Sequence, residues 1–159
     1  MRLILGIDPG LTGAIAAIDA DDLNTLVAVV DMPLAGGEVS VPLLRDVLHG
    51  FGPHVYAAAI ERVHSMPAQG VSSTFKFGVN YGVCLGVVGS LFPVVHVSPP
   101  VWKRRFRLAK DDKDDARRYA IERWPHQAHL LARKKDIGRA DAALIGLYHA
   151  ETAAVPSLL

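Results

Sequence analysis

Two apolar runs in this chain end on a carboxylate, and no other feature constrains the fold as much. Leu3-Ile4-Leu5-Gly6-Ile7 runs into Asp8 and then Pro9-Gly10, while Val55-Tyr56-Ala57-Ala58-Ala59-Ile60 runs into Glu61. Short apolar runs bounded by turn residues read as buried strands. A strand interior excludes a bare carboxylate, because an unpaired buried charge is strongly unfavourable. Each acid therefore belongs at a strand end, and on neighbouring strands the two would share one edge of a sheet. Like charges held that close need a cation to stay ionised together at pH 7. Oxygen-only ligands favour Mg²⁺ or Mn²⁺ over zinc. Taken singly, Asp8 also reads as a turn former and Glu61 as an ordinary strand end.

The rest of the chain places these ends in an α/β frame. Gly13–Ile18 and Thr25–Val30 are two more strand candidates, the second rich in β-branched residues. Their short polar connections imply an antiparallel meander of three strands. Met32–Ser40 reads as a loop, and Ser40 caps a helix carrying Leu43, Leu44, Val47 and Leu48, with Pro42 in its first turn. After Glu61, an exposed loop leads to a helical pattern over Ser72–Leu91, where Phe75, Val79, Gly82 and Gly86 fall near one stripe. Glycine costs about 1 kcal/mol inside a helix, so the stripe predicts close backbone packing, against a second copy or the sheet. Val94–Val97 is a fifth strand, closed by Ser98-Pro99-Pro100. A helix opened by Asp111 or Asp112 runs to Trp124, and a last one runs from about Gly138 to Ala150. The prediction is one α/β domain over residues 1–159, a five-stranded mixed sheet flanked by helices.

Half the residues are hydrophobic and one in five is charged, which excludes a disordered tail or a collagen-like repeat. Cys84 is the one cysteine, so no intrachain disulfide forms and a reducing, cytoplasmic setting is expected. No apolar run approaches a membrane span, and Asp8 arrives before a signal-peptide core could form. Charge is unevenly spread. Residues 1–100 hold four basic and eight acidic side chains, and the remainder thirteen and eight, with every one of those thirteen between Lys103 and Arg139. That distribution points to a polyanionic partner, with a solvated helix face as the plainer reading.

A third acidic element is Gly138-Arg139-Ala140-Asp141-Ala142, with Asp141 in the first turn of an apolar helix, where it would also stabilise the helix dipole. Ile4-Leu5-Gly6-Ile7-Asp8-Pro9-Gly10-Leu11-Thr12-Gly13, Ile60-Glu61 and this segment together closely resemble the RuvC-type Holliday-junction resolvases, most of all their phage and organelle-type relatives. The resemblance covers almost the whole chain. It implies an RNase H-like fold, a homodimer, and a Mg²⁺-dependent endonuclease with two ions per site, Mn²⁺ substituting. Such an enzyme nicks opposed strands of a four-way DNA junction, leaving 5′-phosphate and 3′-hydroxyl ends. Asp8, Glu61 and Asp141 match the family's metal ligands. The bacterial branch has a fourth acid three residues before the position of Asp141, where this chain has Gly138. Asp136 is the nearest substitute, as a catalytic ligand or else a capping residue.

An acidic site repels DNA, so binding must come from cations. Lys103, Arg104, Arg105, Arg107, Lys110 and Lys113 form one phosphate-contacting stretch, and Arg133, Lys134, Lys135 and Arg139 a second. Lys103 and Lys113 fall near lysines that support catalysis in the family. Lys113 is taken as catalytic, with Lys110 competing for that place. His64 stands where the bacterial branch has an aromatic that stacks at the crossover, and Lys76, beside Phe75, opens the next helix as a further DNA contact. Trp102 and Trp124 read as core anchors. The competing readings are a nuclease for RNA–DNA hybrids or flaps, a non-catalytic junction-binding protein, and an actin-like ATPase. The last needs two lobes where 159 residues supply one. A helicase partner is left open.

Overall fold

The computed structural model describes residues 1–63 and 70–153. Strands β1 (Leu3–Asp8), β2 (Ala14–Asp19) and β3 (Leu26–Asp31) form the expected antiparallel meander. A two-residue hairpin, β4 (Leu34–Ala35) and β5 (Glu38–Val39), turns on Gly36 and Gly37 at φ 61° and 80°. Helix α1 (Val41–Gly50) follows, its first turn held by Ser40 Oγ accepting from the Leu43 N–H at 3.4 Å. Then come β6 (Val55–Glu61), α2 (Val71–Gly89), β7 (Val94–Val97), α3 (Pro99–Arg105), α4 (Asp115–Arg123) and α5 (Ile137–Ala153). The sheet order is β3-β2-β1-β6-β7, with β6 and β7 parallel to β1. The meander and the two crossovers thus meet at β1, which is buried on both faces.

Helices cover both faces. On one, Leu5, Ile7, Ile15 and Ile60 pack with Leu44 and Leu48 of α1 and with Cys84 and Val88 of α2. Burial there pushes the Cys84 thiol up to about 12, so it stays protonated. Buried Asn80 ties α2 to the hairpin: its side chain accepts from the Val39 N–H at 2.7 Å and donates to the Lys76 carbonyl at 2.8 Å. On the other face, α5 lies directly on β1 and β2, with Trp102, Trp124, Ala120 and Leu131 filling in behind it.

Four expectations are corrected. Residues 32–40 are not plain loop, because Gly36-Gly37 supplies the positive φ values of a tight hairpin. Pro99-Pro100 opens helix α3 instead of merely closing β7, since proline is suited to a helix's first turn. Helix α4 starts at Asp115, later than Asp111 or Asp112, because Asp112 and Asp115 accept from the Asp114 and Ala109 N–H groups and hold a turn before it. The glycine stripe of α2 does not pack on the sheet. Gly78, Gly82 and Gly86 face open space, and Phe75 beside them is 73% exposed.

Candidate active site

Period-2 alternation decides where the strand-end acids point. Along β1, Leu3, Leu5 and Ile7 pack toward α1 and α2, leaving Asp8 on the α5 side. Along β6, Ile60 packs toward α2 and Ala59 toward α5, so Glu61 shares the α5 side with Asp8. Ile7 pairs with Ile60 in the parallel register, which makes the two acids adjacent strand ends.

Helix α5 supplies the third carboxylate through an unusually close approach. A Cβ on Gly6 would collide with the Ala142 carbonyl and the Gly146 nitrogen, so here the helix rests on the strand backbone to backbone. One turn earlier, Gly138 lies against Thr12 and Gly13, the turn that follows Asp8. Asp141 lies between these two contacts, over the end of β1.

The three carboxylates are part-buried and influence one another. Burial raises Asp8, and the Gly10 N–H, donating to Oδ1 at 3.2 Å, and Lys103 only partly oppose it. Burial likewise raises Glu61; the Trp102 indole opposes the shift, the Asp8 charge adds to it, and Lys103 lowers it again. Asp141 is pushed up to about 7, first by burial, then by the Asp8 charge, with Glu61 adding a smaller push against Lys103. Among the described residues, no three His, Cys, Asp or Glu side chains already stand close enough to cage an ion. The donor set nonetheless fits a hard divalent cation. Three oxygen-only groups are raised above their ordinary pKa, first by burial and, for Glu61 and Asp141, also by the neighbouring carboxylate charge, and one lysine lowers all of them.

Beside Asp141 opens a cleft of about 890 Å³ whose walls carry Lys103, Arg104, Arg107, Lys110 and Lys113. Arg107, just past the end of α3, sits at φ 54°, a left-handed conformation that a side chain rarely adopts.

The remaining sequence-predicted residues fall elsewhere. Arg105 is paired with Glu151 at 2.9 Å, and Arg139 with Asp31 at 2.6 Å, so both tie helices to the body of the domain. Lys134 and Lys76 are exposed away from the cleft lining, and Lys135 lines a smaller hollow with Leu11 and Thr12. His64 lies outside the described residues.

Asp136 is not brought to the carboxylate group. It is 2% exposed and accepts from the Arg133 backbone N–H and Nε, both at 2.8 Å, with Arg139 close by. Burial pushes its pKa up, but these bonds and the two arginine charges outweigh that and hold it low. Its side chain secures the turn before α5 to Arg133 and is neither a metal-site ligand nor a cap on the N–H groups of α5. Lys113 lies on the cleft, but Lys103 is the lysine whose charge reaches all three acids.

Sequence reasoning missed one participant. The Trp102 indole Nε1 donates to Glu61 Oε1 at 2.9 Å, and Lys103 Nζ stands 5.2 Å from the centre of the Trp102 rings. Adjacent Trp-Lys was visible in the sequence, but nothing local points from residue 102 to residue 61.

A meander continued by two parallel crossovers, with helices on both faces, is an RNase H-like fold. Over nearly its whole length the chain is similar in structure to RuvC Holliday-junction resolvase. Thermus thermophilus RuvC in complex with a Holliday-junction substrate matches with TM-score 0.64 and 21% identity, covering 97% of this chain and 96% of that one. A second Thermus thermophilus RuvC structure matches with TM-score 0.62 and 21% identity, covering 96% of each. No family model and no curated protein sequence matches the chain.

Proposed function

We propose that this chain is a structure-specific endonuclease that resolves four-way DNA junctions by divalent-metal-dependent hydrolysis. The observation that carries the reading is that three part-buried carboxylates, Asp8, Glu61 and Asp141, act on one another's charge, and that one of them, Asp141, lines a cleft carrying five cationic side chains. The shared fold with a junction-bound RuvC supports it.

Asp8, Glu61 and Asp141 would hold two Mg²⁺ ions, with Mn²⁺ able to replace them. Such ions, when bound, supply an attacking water of lowered pKa and stabilise charge on the departing 3′ oxygen, leaving 5′-phosphate ends. The chain's own residues do the rest. Lys103 partly neutralises the acids, so that a phosphate can approach them. Arg104, Arg107, Lys110 and Lys113 track the backbone of the bound strand, each neutralised phosphate adding about −0.9 to the log–log salt slope. Such contacts position the strand and do not read its sequence. A junction offers two equivalent strands, which a two-fold homodimer would engage with two identical sites. The outward stripe of α2, from Val71 at 88% exposure through Phe75, is its interface in this reading. Sedimentation that reads only monomers at micromolar concentration removes that part.

A synthetic four-way junction with Mg²⁺ tests the activity. Wild type should give paired symmetric nicks with ligatable ends, and Asp8→Asn should bind without cutting. Linear duplex cut as fast as the junction, or full activity in Asp8→Asn, refutes the assignment. RNA–DNA hybrid and flap substrates, run in parallel, identify the competing nuclease class if either is preferred.

A further inference from the structure

Trp102 is buried at the middle of α3 and carries a single polar atom, the indole N–H, which can donate but not accept. That N–H donates to Glu61 Oε1 at 2.9 Å, across 41 residues of sequence. Among the described residues it is the only side-chain donor to the Glu61 carboxylate, which Asp8 otherwise repels. The bond occupies Oε1 and leaves Oε2 with its full capacity to accept. Lys103, the next residue, has its ammonium 5.2 Å from the centre of the same indole, where the ring quadrupole attracts a cation. One rigid side chain therefore engages both an acid of the site and the lysine that moderates all three acids.

We propose that Trp102 is a positioning residue for divalent-ion binding, fixing the Glu61 carboxylate through its N–H and seating Lys103 on its ring. The proposal rests on reading the acidic site as a divalent-metal site. Groups that hydrogen-bond a metal ligand orient it and raise its fitness for the ion. Losing one typically costs about 10–100-fold in metal affinity or activity.

Trp102 also packs in the core against Phe106 and α5, so its removal would confuse packing with positioning. Site-specific replacement by 3-benzothienylalanine keeps the shape and deletes only the N–H. In ¹⁵N-labelled, DNA-free protein the two tryptophans give two indole resonances, and the one missing from the substituted protein belongs to Trp102. Titrating Mg²⁺ into wild type should move that resonance and leave the Trp124 one in place. Calorimetry with Mn²⁺ should show affinity reduced about 10-fold or more in the substituted protein. Junction binding in EDTA and the thermal midpoint should stay close to wild type. A wild-type protein that binds Mg²⁺ without moving the Trp102 resonance, or an isostere that binds Mn²⁺ as tightly as wild type, overturns this inference and spares the nuclease reading. A wild-type protein that takes up no divalent ion overturns both.

Discussion

Replacing Gly138 with aspartate would supply the fourth acid of the bacterial RuvC-type resolvases, three residues before Asp141. The structure predicts that this fails. Gly138 is buried in the first turn of α5, and a Cβ there would collide with the Thr12 carbonyl and stand 2.9 Å from Gly13 Cα. Both neighbours are backbone, so neither can rotate away. Either the start of α5 or the turn after Asp8 must retreat by several tenths of an ångström or more. Forced overpacking of this kind costs about 1–3 kcal/mol. Leaving glycine inside a helix returns about 0.5–1 kcal/mol, and a carboxylate near a helix N-terminus returns about 0.3–1 kcal/mol. A further negative charge near Asp8 and Asp141 works against that last gain. With the dipole gain cancelled, the net expectation is a loss of about 1 kcal/mol, or roughly 2–4 °C in thermal midpoint for a domain of this size. Asp141, on the next turn, moves with the helix, so nicking should fall too. Gly138→Ala separates the two effects, because it introduces the collision without the charge and should lose both stability and turnover. Calorimetric scans and junction cleavage at several Mg²⁺ concentrations are the assays. A Gly138→Asp protein as stable as wild type that cuts faster at low Mg²⁺ would refute the packing argument.

Three further outcomes rest on the site and on the residues around it. Asp141 is raised to about 7 in the folded protein, above its ordinary value of 3.8, and Asp8 and Glu61 are raised in the same direction. The folded state therefore holds more protons than the unfolded one between those values, and metal-free protein should lose stability as pH rises from about 4 to about 7. Mg²⁺ should restore it near neutrality; thermal midpoints that stay flat across that range in EDTA contradict the coupling. Arg107→Gly relieves a left-handed backbone and should gain about 1 kcal/mol in denaturant unfolding, while the salt slope of junction binding shrinks by about 1 as one phosphate contact is lost. Unchanged stability with an unchanged slope removes Arg107 from the cleft's function. Asp136→Ala should cost about 2 kcal/mol through its lost arginine bonds, with turnover per folded molecule unaltered. Activity lost at full stability would return Asp136 to the catalytic set.

The sheet and the two strand-end acids are legible because both depend on short-range pattern, whereas Asp141 is singled out by the Gly-Arg-Ala-Asp segment and the resemblance it carries. An apolar run stopping at Asp8 or Glu61 contains its own strand boundary, and period 2 then assigns the face. What stayed hidden depends on partners far along the chain. Arg105 and Arg139 looked like DNA contacts, yet Glu151 and Asp31, 46 and 108 residues away, engage them. Asp136 looked like a substitute ligand because it is near Asp141 in number, but a helix start turns its side chain toward Arg133. Pro99-Pro100 reads equally as an ending or a beginning; in the structure it opens α3, whose Trp102 is buried in the core with α5.

Where α5 meets β1, main chain touches main chain at Gly6, Ala142 and Gly146. Such a joint dictates one letter of the alphabet at its contact point and is indifferent to most others nearby. The spacing between Asp8 and Asp141 is consequently set by peptide geometry, and surrounding side chains are free to drift without disturbing it. A scaffold joined this way tolerates extensive change of sequence while its three-dimensional outline still superposes on that of a protein with few residues in common.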